Sequence, residues 1–412
     1  MRTTSTPCNR ICALAAVITV TVAGCRSRVA DRHAVVLVSL DGFRSEYLDW
    51  YDAPHLRALA ARGVRARWMQ PSFPVLTFPN HYTIVTGLLP AHHGIVANRM
   101  RDPGGARFRY SDSAAVRQSM WWGGEPVWVT AEQQVVRSAT FFWPGSEAEI
   151  KGRRPTFSKA YDEAVPAADR VDTVLAWLTR PDSLPTRFVA LYFSTVDHAG
   201  HDYGPHAPET RAAVLALDSA MGRLVGGLAA HGLTDQVNIV VVSDHGMAEV
   251  RADRVVVLDD LLDTGSVDLI ESHALFMMNP KDGDTARLLR SLAGSPHLHA
   301  WRGDSVPAAL RYTGHPRIPA VVGVPDEGWA LLKRSTVRSM NRAVGGGHGY
   351  LPTDTSMHAL FIAAGPGIRR SGTVEPFSNI HVYALLCELL GLRPAPNDGS
   401  LDSVRTLLRQ ER

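Results

Sequence analysis

The chain has 412 residues, 45% of them hydrophobic, and a formal net charge of +3. This length suffices for one large domain or two modest ones, and the hydrophobic content suffices for a sizeable core. The 43 basic residues are scattered without a dense run, which argues against a protein that wraps nucleic acid.

The first 25 residues have the features of an export signal. Basic residues precede an apolar stretch, residues 11–23, which is short for a membrane span. Residues 22–25, VAGC, resemble a bacterial lipobox, in which Cys25 becomes the lipidated first residue of the mature protein. We therefore predict a lipoprotein signal over 1–25, a polar tether over 26–33, and a periplasmic or cell-envelope location. An ordinary cleaved signal with an incidental cysteine is the alternative.

Few cysteines remain after such a signal. Apart from Cys25, the mature chain would keep only Cys387, so a disulfide framework is not expected. Cys387 lies in the apolar run VYALLCELLGL, and we predict that it is a small buried hydrophobic residue rather than a reactive thiol.

Four apolar runs recur along the rest of the chain, and three of them end in Asp or His. Each run is typical of a buried parallel strand with polar or small residues at its carboxyl end. The runs are AVVLVSLDG (34–42), RFVALYFSTVDHAGH (187–201), NIVVVSDHGM (238–247) and HALFIAAGPG (358–367).

Helical patterns separate these runs. They cover residues 54–61, 79–87, 167–179, 207–231 and 379–392. Strands that alternate with helices predict an α/β fold with a mostly parallel central sheet and helices on both faces. We predict one domain over 34–412, with a smaller β-rich insertion at about 251–345. In such sheets, ligands bind at the carboxyl ends of the strands.

Carboxylate and imidazole side chains collect at these predicted strand ends. Each of them alone fits a turn or a surface loop, but their joint recurrence after apolar strands favours a metal centre. Carboxylate oxygen and imidazole nitrogen together suit zinc. The six candidate ligands are Asp41, Asp197, His201, Asp244, His245 and His348.

Six protein ligands are too many for one tetrahedral zinc ion, so they divide into two sites of three. Two metals about 3.5 to 4 Å apart stabilise the attacking and leaving oxygens of a phosphoryl transfer. The segment VLTFPNHYTIVTG (75–87) adds a candidate nucleophile, Thr77. Taken locally, Thr77 predicts a helix cap whose hydroxyl bonds a backbone N–H. Beside a metal pair, the same hydroxyl would lose its proton more easily and attack substrate.

The chain resembles the nucleotide pyrophosphatase/phosphodiesterase family of the alkaline phosphatase superfamily, in particular its compact bacterial members. The resemblance runs from about residue 34 to about residue 392. It rests on the motifs VSLDGFR (38–44), PSFPVLTFPNHYTIVTGLLPAHHGIVAN (71–98), STVDHAGHDYGP (194–205), VVSDHGM (241–247) and GGGHGY (345–350).

The resemblance implies a role for each motif residue and two zinc ions per chain. It implies a covalent nucleotidyl intermediate on Thr77, a small nucleotide substrate, and release of a nucleoside 5′-monophosphate. Asn98 would bond a non-bridging phosphate oxygen, and a nucleobase would stack on Phe78, Tyr161 and Tyr192. One zinc would be held by Asp41, Thr77, Asp244 and His245, and the other by Asp197, His201 and His348.

Three other functions stay open at this point. A phosphomonoesterase of the same superfamily needs positive charge for a dianionic phosphate, and Arg44 follows Asp41 closely. A lipid phosphodiesterase acting on choline head groups is another. The third is a non-catalytic surface lipoprotein that keeps its metals for stability, although a structural zinc site needs no free nucleophile. The cysteine-rich and nuclease-like modules of the vertebrate members do not occur in this sequence.

Overall fold

A mixed eight-stranded sheet forms the centre of the protein. The computed structural model describes residues 1–3, 33–339 and 344–409. Residues 4–32, which include most of the predicted signal, Cys25 and all but the last residue of the predicted tether, therefore lie outside the described residues. The sheet has the order β8-β2-β7-β6-β1-β5-β3-β4. Its strands are β1 (Ala34–Leu40), β2 (Val64–Ala66), β3 (Arg137–Phe141), β4 (Phe157–Lys159), β5 (Thr186–Phe193), β6 (Val237–Val242), β7 (Phe361–Ala364) and β8 (Thr373–Val374).

Twelve α-helices are present in the described residues, and seven short 3-10 helices accompany them. The α-helices are α1 (Tyr47–Trp50), α2 (Pro54–Arg62), α3 (Thr77–Thr86), α4 (Pro90–His93), α5 (Ser113–Val116), α6 (Val127–Gln133), α7 (Ala167–Leu178), α8 (Thr195–Tyr203), α9 (Pro208–Ala230), α10 (Thr285–Ala293), α11 (Arg334–Ser339) and α12 (Val382–Leu390). The 3-10 helices are Ser119–Trp121, Leu258–Asp260, Thr264–Ser266, Ala308–Leu310, Thr355–Met357, Asn379–His381 and Asp402–Leu407.

Helices cover both faces of the sheet, which explains why the central strands are apolar throughout. Along β1, Val35 and Leu37 point into one core and Val36 and Val38 into the other. The first core contains residues of α3, α6 and α12, and the second contains residues of α2, α7 and α9. A strand that is buried on both faces needs no polar alternation. The predicted α/β fold with helices on both faces is confirmed.

The strands run parallel in the middle of the sheet. β1 pairs in parallel with β5 and β6, and β3 pairs in parallel with β4 and β5. The carboxyl ends of these parallel strands therefore lie at the same end of the sheet. β7 is antiparallel to β6, so the glycines that follow β7 lie at the opposite end of the sheet, close to Asn238 at the start of β6. The fourth apolar run thus differs from the expected pattern, because its carboxyl end does not face the other three.

Smaller sheets accompany the central one. The stretch between β6 and β7 forms an antiparallel four-stranded sheet, made of Val267–Glu271, Phe276–Pro280, Val321–Pro325 and Leu298–Arg302, with a small core of its own. Four two-stranded pairs complete the β structure: Ala248–Arg251 with Val344–Gly347, Val255–Val257 with Ala330–Leu332, Met69–Gln70 with Phe377–Ser378, and Arg99–Arg101 with Arg107–Arg109.

Two helical features bear on the sequence predictions. Among the described helices, only α9 is long and apolar enough to cross a membrane. Its residues Val214, Leu217 and Leu224 are buried in the core beneath the sheet, so it is a core helix of this fold. Cys387 of α12 is also buried, as predicted, and burial raises the pKa of its thiol to about 12.

The helix predicted over 79–87 begins two residues earlier than expected. Thr77 is its first residue, the N-cap is Leu76, and no side chain caps the helix. The local prediction of Thr77 as a cap was therefore wrong. The predicted end is right, because Gly87 follows the helix with a φ of 68°, a conformation that costs glycine little. The Thr77 hydroxyl is left available for other contacts.

Candidate active site

Three buried carboxylates meet at the carboxyl edge of the sheet. Asp41 follows β1, Asp244 follows β6, and Asp197 lies in α8 directly after β5. β1 lies between β5 and β6, so the three side chains converge. Three of their oxygens have no hydrogen-bond partner: Asp41 Oδ1, Asp197 Oδ1 and Asp244 Oδ2. Buried carboxylate oxygens without donors are costly unless a cation binds them.

Three histidines surround these carboxylates, and all three are oriented in the same way. The Nδ1–H of each ring donates to a backbone carbonyl: His201 to Gly346 at 3.0 Å, His245 to Gly246 at 2.8 Å, and His348 to Val75 at 3.0 Å. This hydrogen bond fixes the tautomer and leaves the Nε2 lone pair as the free ligand atom, the usual arrangement for a metal-binding histidine.

The free Nε2 atoms point to the carboxylates. His245 Nε2 lies 2.9 Å from Asp244 Oδ2 and 3.6 Å from Asp41 Oδ1. The Nε2 atoms of His201 and His348 lie 3.5 and 3.7 Å from Asp197 Oδ1. Acceptor atoms this close together fit a shared cation. Two groups of possible ligands have atoms within 4.8 Å of one another, namely Asp197, His245 and His348, and Asp41, His81 and Asp244.

The pKa shifts show how strongly these charges interact. Burial raises the pKa of Asp41 well above its usual value, and the charges of Asp244 and Asp197 raise it further. Burial would also raise the pKa of Asp244, but His245 and His81 hold it well below its usual value. Burial lowers the pKa of His348, and the neighbouring His245 and His201 lower it further, so the His348 ring is neutral. A neutral imidazole is the form that binds a metal.

Thr77 and Asn98 complete the floor of the site. Thr77 Oγ1 lies 3.3 Å from His245 Nε2 at the N-terminus of α3. Asn98 Oδ1 accepts a hydrogen bond from the Phe78 backbone N–H at 3.0 Å. That bond orients the amide so that its nitrogen, which has no partner among the described residues, is free to donate. A helix N-terminus also favours a negatively charged ligand.

A cavity of about 550 Å³ opens above this floor. Thr77, Asn98, Asp41, Asp197, His201 and His348 line it, together with the aromatic side chains Phe78, Tyr110, Phe142, Trp143, Tyr161 and Tyr192. The Phe78 ring lies 6.0 Å from that of Tyr110, and the Tyr161 ring lies 5.3 Å from that of Phe142. The volume suits a small molecule with one anionic end and one flat apolar end.

The comparisons with known proteins agree with this geometry. A family model described as Type I phosphodiesterase / nucleotide pyrophosphatase matches residues 35–351. The chain belongs to this family. A solved structure of murine ectonucleotide pyrophosphatase / phosphodiesterase 5, an inactive variant in complex with AMP, is 34% identical. It superposes with a TM-score of 0.87 and covers 92% of this chain and 100% of that chain.

Curated members of the family are similarly related. A venom phosphodiesterase from Crotalus durissus collilineatus is 37% identical over 391 residues, covering 92% of this chain and 47% of its own. Ectonucleotide pyrophosphatase/phosphodiesterase family member 3 from Bos taurus is 35% identical over 390 residues, covering 92% of this chain and 44% of its own. The chain thus spans about half the length of these relatives.

The structure brings the predicted ligands, Thr77, Asn98 and the three aromatic residues together, and all of them line the cavity except Asp244 and His245, which are buried behind it. Among the aromatic residues, however, Tyr192 differs from Phe78 and Tyr161. Its side chain is only 7% exposed, and its hydroxyl donates to Asp41 Oδ2 at 2.5 Å. Tyr161 is 45% exposed at the rim. The hydrogen bond from Tyr192 therefore orients Asp41, and base stacking on any of the three rings stays a prediction.

Sequence reasoning missed several residues around the site. His81 lies in the motif at 71–98, and the sequence predicts no role for it, although its spacing of four from Thr77 on a helix places both side chains on one side. Glu147 was also missed. It accepts hydrogen bonds from the Tyr161 backbone N–H and from Arg117, each at 3.0 Å, and so holds the rim loop. No local pattern marked Glu147, because both partners are distant in sequence.

Proposed function

We propose that this chain is a two-zinc phosphodiesterase/pyrophosphatase that hydrolyses nucleotide phosphodiester or pyrophosphate bonds through a covalent threonine intermediate and releases nucleoside 5′-monophosphates. The observation that carries the proposal is the convergence of three unpartnered carboxylate oxygens beside the Thr77 hydroxyl on the floor of an aromatic cavity. The AMP complex of murine family member 5, an enzyme of similar fold, supports a nucleotide as the ligand class.

Zinc is the ion that the donor set favours. One group of ligands would be Asp41, Thr77, Asp244 and His245, and the other Asp197, His201 and His348. Carboxylates mixed with neutral imidazoles suit zinc better than magnesium or calcium, which prefer oxygen ligands alone. When bound, the ions would neutralise phosphate charge and ease the loss of the Thr77 proton.

The protein residues then have separate tasks in each half-reaction. Thr77 Oγ1 attacks the phosphorus, forms a bond to it, and displaces the leaving group. The amide nitrogen of Asn98 donates to a non-bridging phosphate oxygen, held in place by the bond from the Phe78 N–H to its own oxygen. Phe78 and Tyr161 bind the base. Water then breaks the phosphorus–threonine bond, which releases the 5′-monophosphate and restores the Thr77 hydroxyl.

A phosphomonoesterase fits the cavity less well. A dianionic phosphate needs an additional cation, but Arg44 pairs with Glu46 and donates to the Met247 carbonyl outside the cavity lining. The arginine that does line the described cavity, Arg117, is paired with Glu147. A neutral donor such as Asn98 suits the single negative charge of a diester.

Steady-state rates on three p-nitrophenyl substrates test the proposed function. The substrates are p-nitrophenyl thymidine 5′-monophosphate, p-nitrophenyl phosphate and p-nitrophenyl phosphorylcholine. We expect a strong preference for the first. A preference for the second would support the monoesterase, a preference for the third the choline head-group enzyme, and no turnover at all the non-catalytic lipoprotein.

Replacing the aromatic residues Phe78 and Tyr161 of the cavity wall should separate base binding from chemistry. Stacking contributes roughly 1–3 kcal/mol per base, about ten- to a hundredfold in rate if it persists in the transition state. Phe78→Ala and Tyr161→Ala should therefore lower kcat/KM for the thymidine diester by that factor. Both variants should change kcat/KM for bis-p-nitrophenyl phosphate much less, because that substrate carries no base.

The matched control is Tyr203→Ala, because Tyr203 is 46% exposed but does not line the cavity. It should leave the rates on both substrates unchanged. Equal losses of kcat/KM on both substrates in the Phe78 and Tyr161 variants would mean that these rings only pack the cavity wall. The proposal of a nucleotide substrate would then lose the support that the two aromatic rings give it.

Export and lipid anchoring are a separate proposal, which rests on the sequence of residues 1–25 alone. We expect the wild-type protein in the membrane fraction, attached through lipid at Cys25. Cys25→Ala should move it to the soluble periplasmic fraction or leave it as an unprocessed precursor, as judged by immunoblotting of cell fractions. Cys387→Ala is the control, since that thiol is buried. An unchanged distribution of Cys25→Ala would point to an ordinary cleaved signal.

A further inference from the structure

His81 lies directly beneath the site and makes three polar contacts there. The side chain is fully buried and does not line the cavity. Its Nδ1 lies 2.8 Å from the Thr77 carbonyl oxygen and 3.3 Å from Asp244 Oδ2, and its Nε2 lies 2.7 Å from Ser39 Oγ. Because residues four apart share one side of a helix, His81 of α3 reaches back to the first residue of its own helix.

These contacts determine the tautomer of the ring. A carbonyl oxygen can only accept, so His81 Nδ1 must carry the hydrogen that Thr77 receives. In the neutral ring Nε2 then accepts from the Ser39 hydroxyl. Both nitrogens are therefore engaged within the protein. Although His81 lies close enough to Asp41 and Asp244 to form a cation-binding group, it has no lone pair left for an ion.

We propose that His81 is a positioning residue that fixes the Thr77 backbone next to the Asp244 carboxylate: its Nδ1–H donates to the Thr77 carbonyl oxygen and lies against Asp244 Oδ2 at 3.3 Å, while Ser39 maintains the tautomer this requires. The inference rests on the proposed two-metal function and adds a residue to it. His81 links the proposed nucleophile, Thr77, with the candidate ligand Asp244, which follows strand β6. Partners that orient metal ligands typically contribute 10- to 100-fold in metal affinity or activity.

The packing around the ring strengthens the proposal. His81 makes edge contacts with Trp143 and Tyr192, each with 5.2 Å between ring centroids. Tyr192 is the residue whose hydroxyl donates to Asp41. The same imidazole therefore contacts Asp244 directly and supports the group that orients Asp41. Its loss should loosen carboxylates from two neighbouring strands.

Burial excludes a catalytic triad made of Ser39, His81 and Asp244. Ser39, His81 and Asp244 stand in the order of a serine hydrolase triad, but all three side chains are completely buried. No substrate can reach Ser39 Oγ, so the arrangement serves to orient groups and not to attack a substrate.

The decisive experiment compares His81→Phe with His93→Phe. His93 is equally buried and also uses both ring nitrogens, with Thr83 Oγ1 at 3.0 Å and the Ile95 N–H at 3.2 Å, but it contacts no site residue. We expect H81F to lose about 10- to 100-fold in kcat. Its KM for p-nitrophenyl thymidine 5′-monophosphate should stay within about twofold, since the ring lies outside the cavity. H93F should keep wild-type kcat and zinc content.

Zinc retention is the readout independent of activity. Zinc per chain, measured by elemental analysis after dialysis against graded chelator, should fall at a lower chelator concentration in H81F than in H93F. His81→Asn should restore much of the retention, because its amide nitrogen can replace Nδ1–H. Ser39→Ala should cause a smaller loss of the same kind, and these two variants carry the test if H81F does not fold.

The possible results separate a failure of the His81 role from a failure of the proposed two-zinc function. Wild-type protein without two zinc ions would overturn the proposed function and this inference with it. Wild-type protein with two zinc ions, combined with equal kcat and zinc retention in H81F and H93F, would overturn the role of His81 alone. A rise in KM without a change in kcat would also contradict it, since a positioning residue outside the cavity should not affect substrate binding.

Discussion

Thr77→Ala is expected to abolish the turnover of nucleotide diesters while the fold and most of the bound metal remain. Among the described serine and threonine side chains that line the cavity, Thr77 is the one whose hydroxyl lies beside a candidate metal ligand, 3.3 Å from His245 Nε2. Removal of the nucleophile in a covalent mechanism costs roughly 10⁴- to 10⁶-fold in kcat. Thr77→Ser should keep measurable activity, because a hydroxyl remains. Steady-state rates on p-nitrophenyl thymidine 5′-monophosphate measure both effects.

A second observation can test the covalent step directly. Wild-type protein quenched during turnover should show a mass increase of one nucleotidyl group on the peptide that contains Thr77, and Thr77→Ala should show none. Thr83→Ala is the matched control, because Thr83 lies in the same helix but bonds His93 instead of the site. If Thr77→Ala retained a substantial fraction of the wild-type rate, the covalent mechanism would have to be abandoned.

The second large effect concerns metal content. Wild-type protein should contain about two zinc ions per chain, as the two-metal arrangement requires. His348→Ala should lose one of them and about 10³-fold in kcat, since a catalytic metal supplies several kcal/mol of stabilisation to the transition state. Elemental analysis gives the stoichiometry, and addition of chelator to the wild-type protein should lower its Tm, because zinc binds the folded state.

The control for this variant is His381→Ala. The His381 ring is half-buried and accepts from the Ser400 N–H, remote from the ligand groups. Its zinc content and activity should match the wild type. Wild-type protein with a single zinc ion, or with magnesium alone, would contradict the proposed division of ligands, as would a His348→Ala protein that kept both ions.

The central architecture could be predicted from local pattern alone. The apolar runs at 34–42 and 238–247 became β1 and β6, and the helical pattern at 207–231 became α9. These elements are long and buried, so their hydrophobic pattern outweighs other local preferences. The convergence of Asp41 and Asp244 also followed from the pattern, because parallel strands end at the same edge of a sheet.

Where the sequence failed, the competing effect was tertiary. Thr77 looked like a helix cap because threonine is common there, but the structure begins the helix at Thr77 itself and turns its hydroxyl to His245. Base stacking on Tyr192 stays a prediction, but its hydroxyl also bonds Asp41, which follows the neighbouring strand, and no local pattern predicted that contact. The partners of these two hydroxyls, His245 and Asp41, lie more than a hundred positions away in sequence.

The sequence by itself determined the fold class and the strands of the sheet centre, and it supplied the candidate metal ligands, because each depends on a short pattern of residue types. Tertiary structure alone decided that β7 runs antiparallel, that a backbone carbonyl orients each of the three candidate ligand histidines, and that His81 lies against Ser39, Thr77 and Asp244. These features depend on which strands become neighbours and which atoms then come within hydrogen-bonding distance. A local pattern of residue types specifies neither the order of the strands in the sheet nor the distances between side chains that are far apart in sequence.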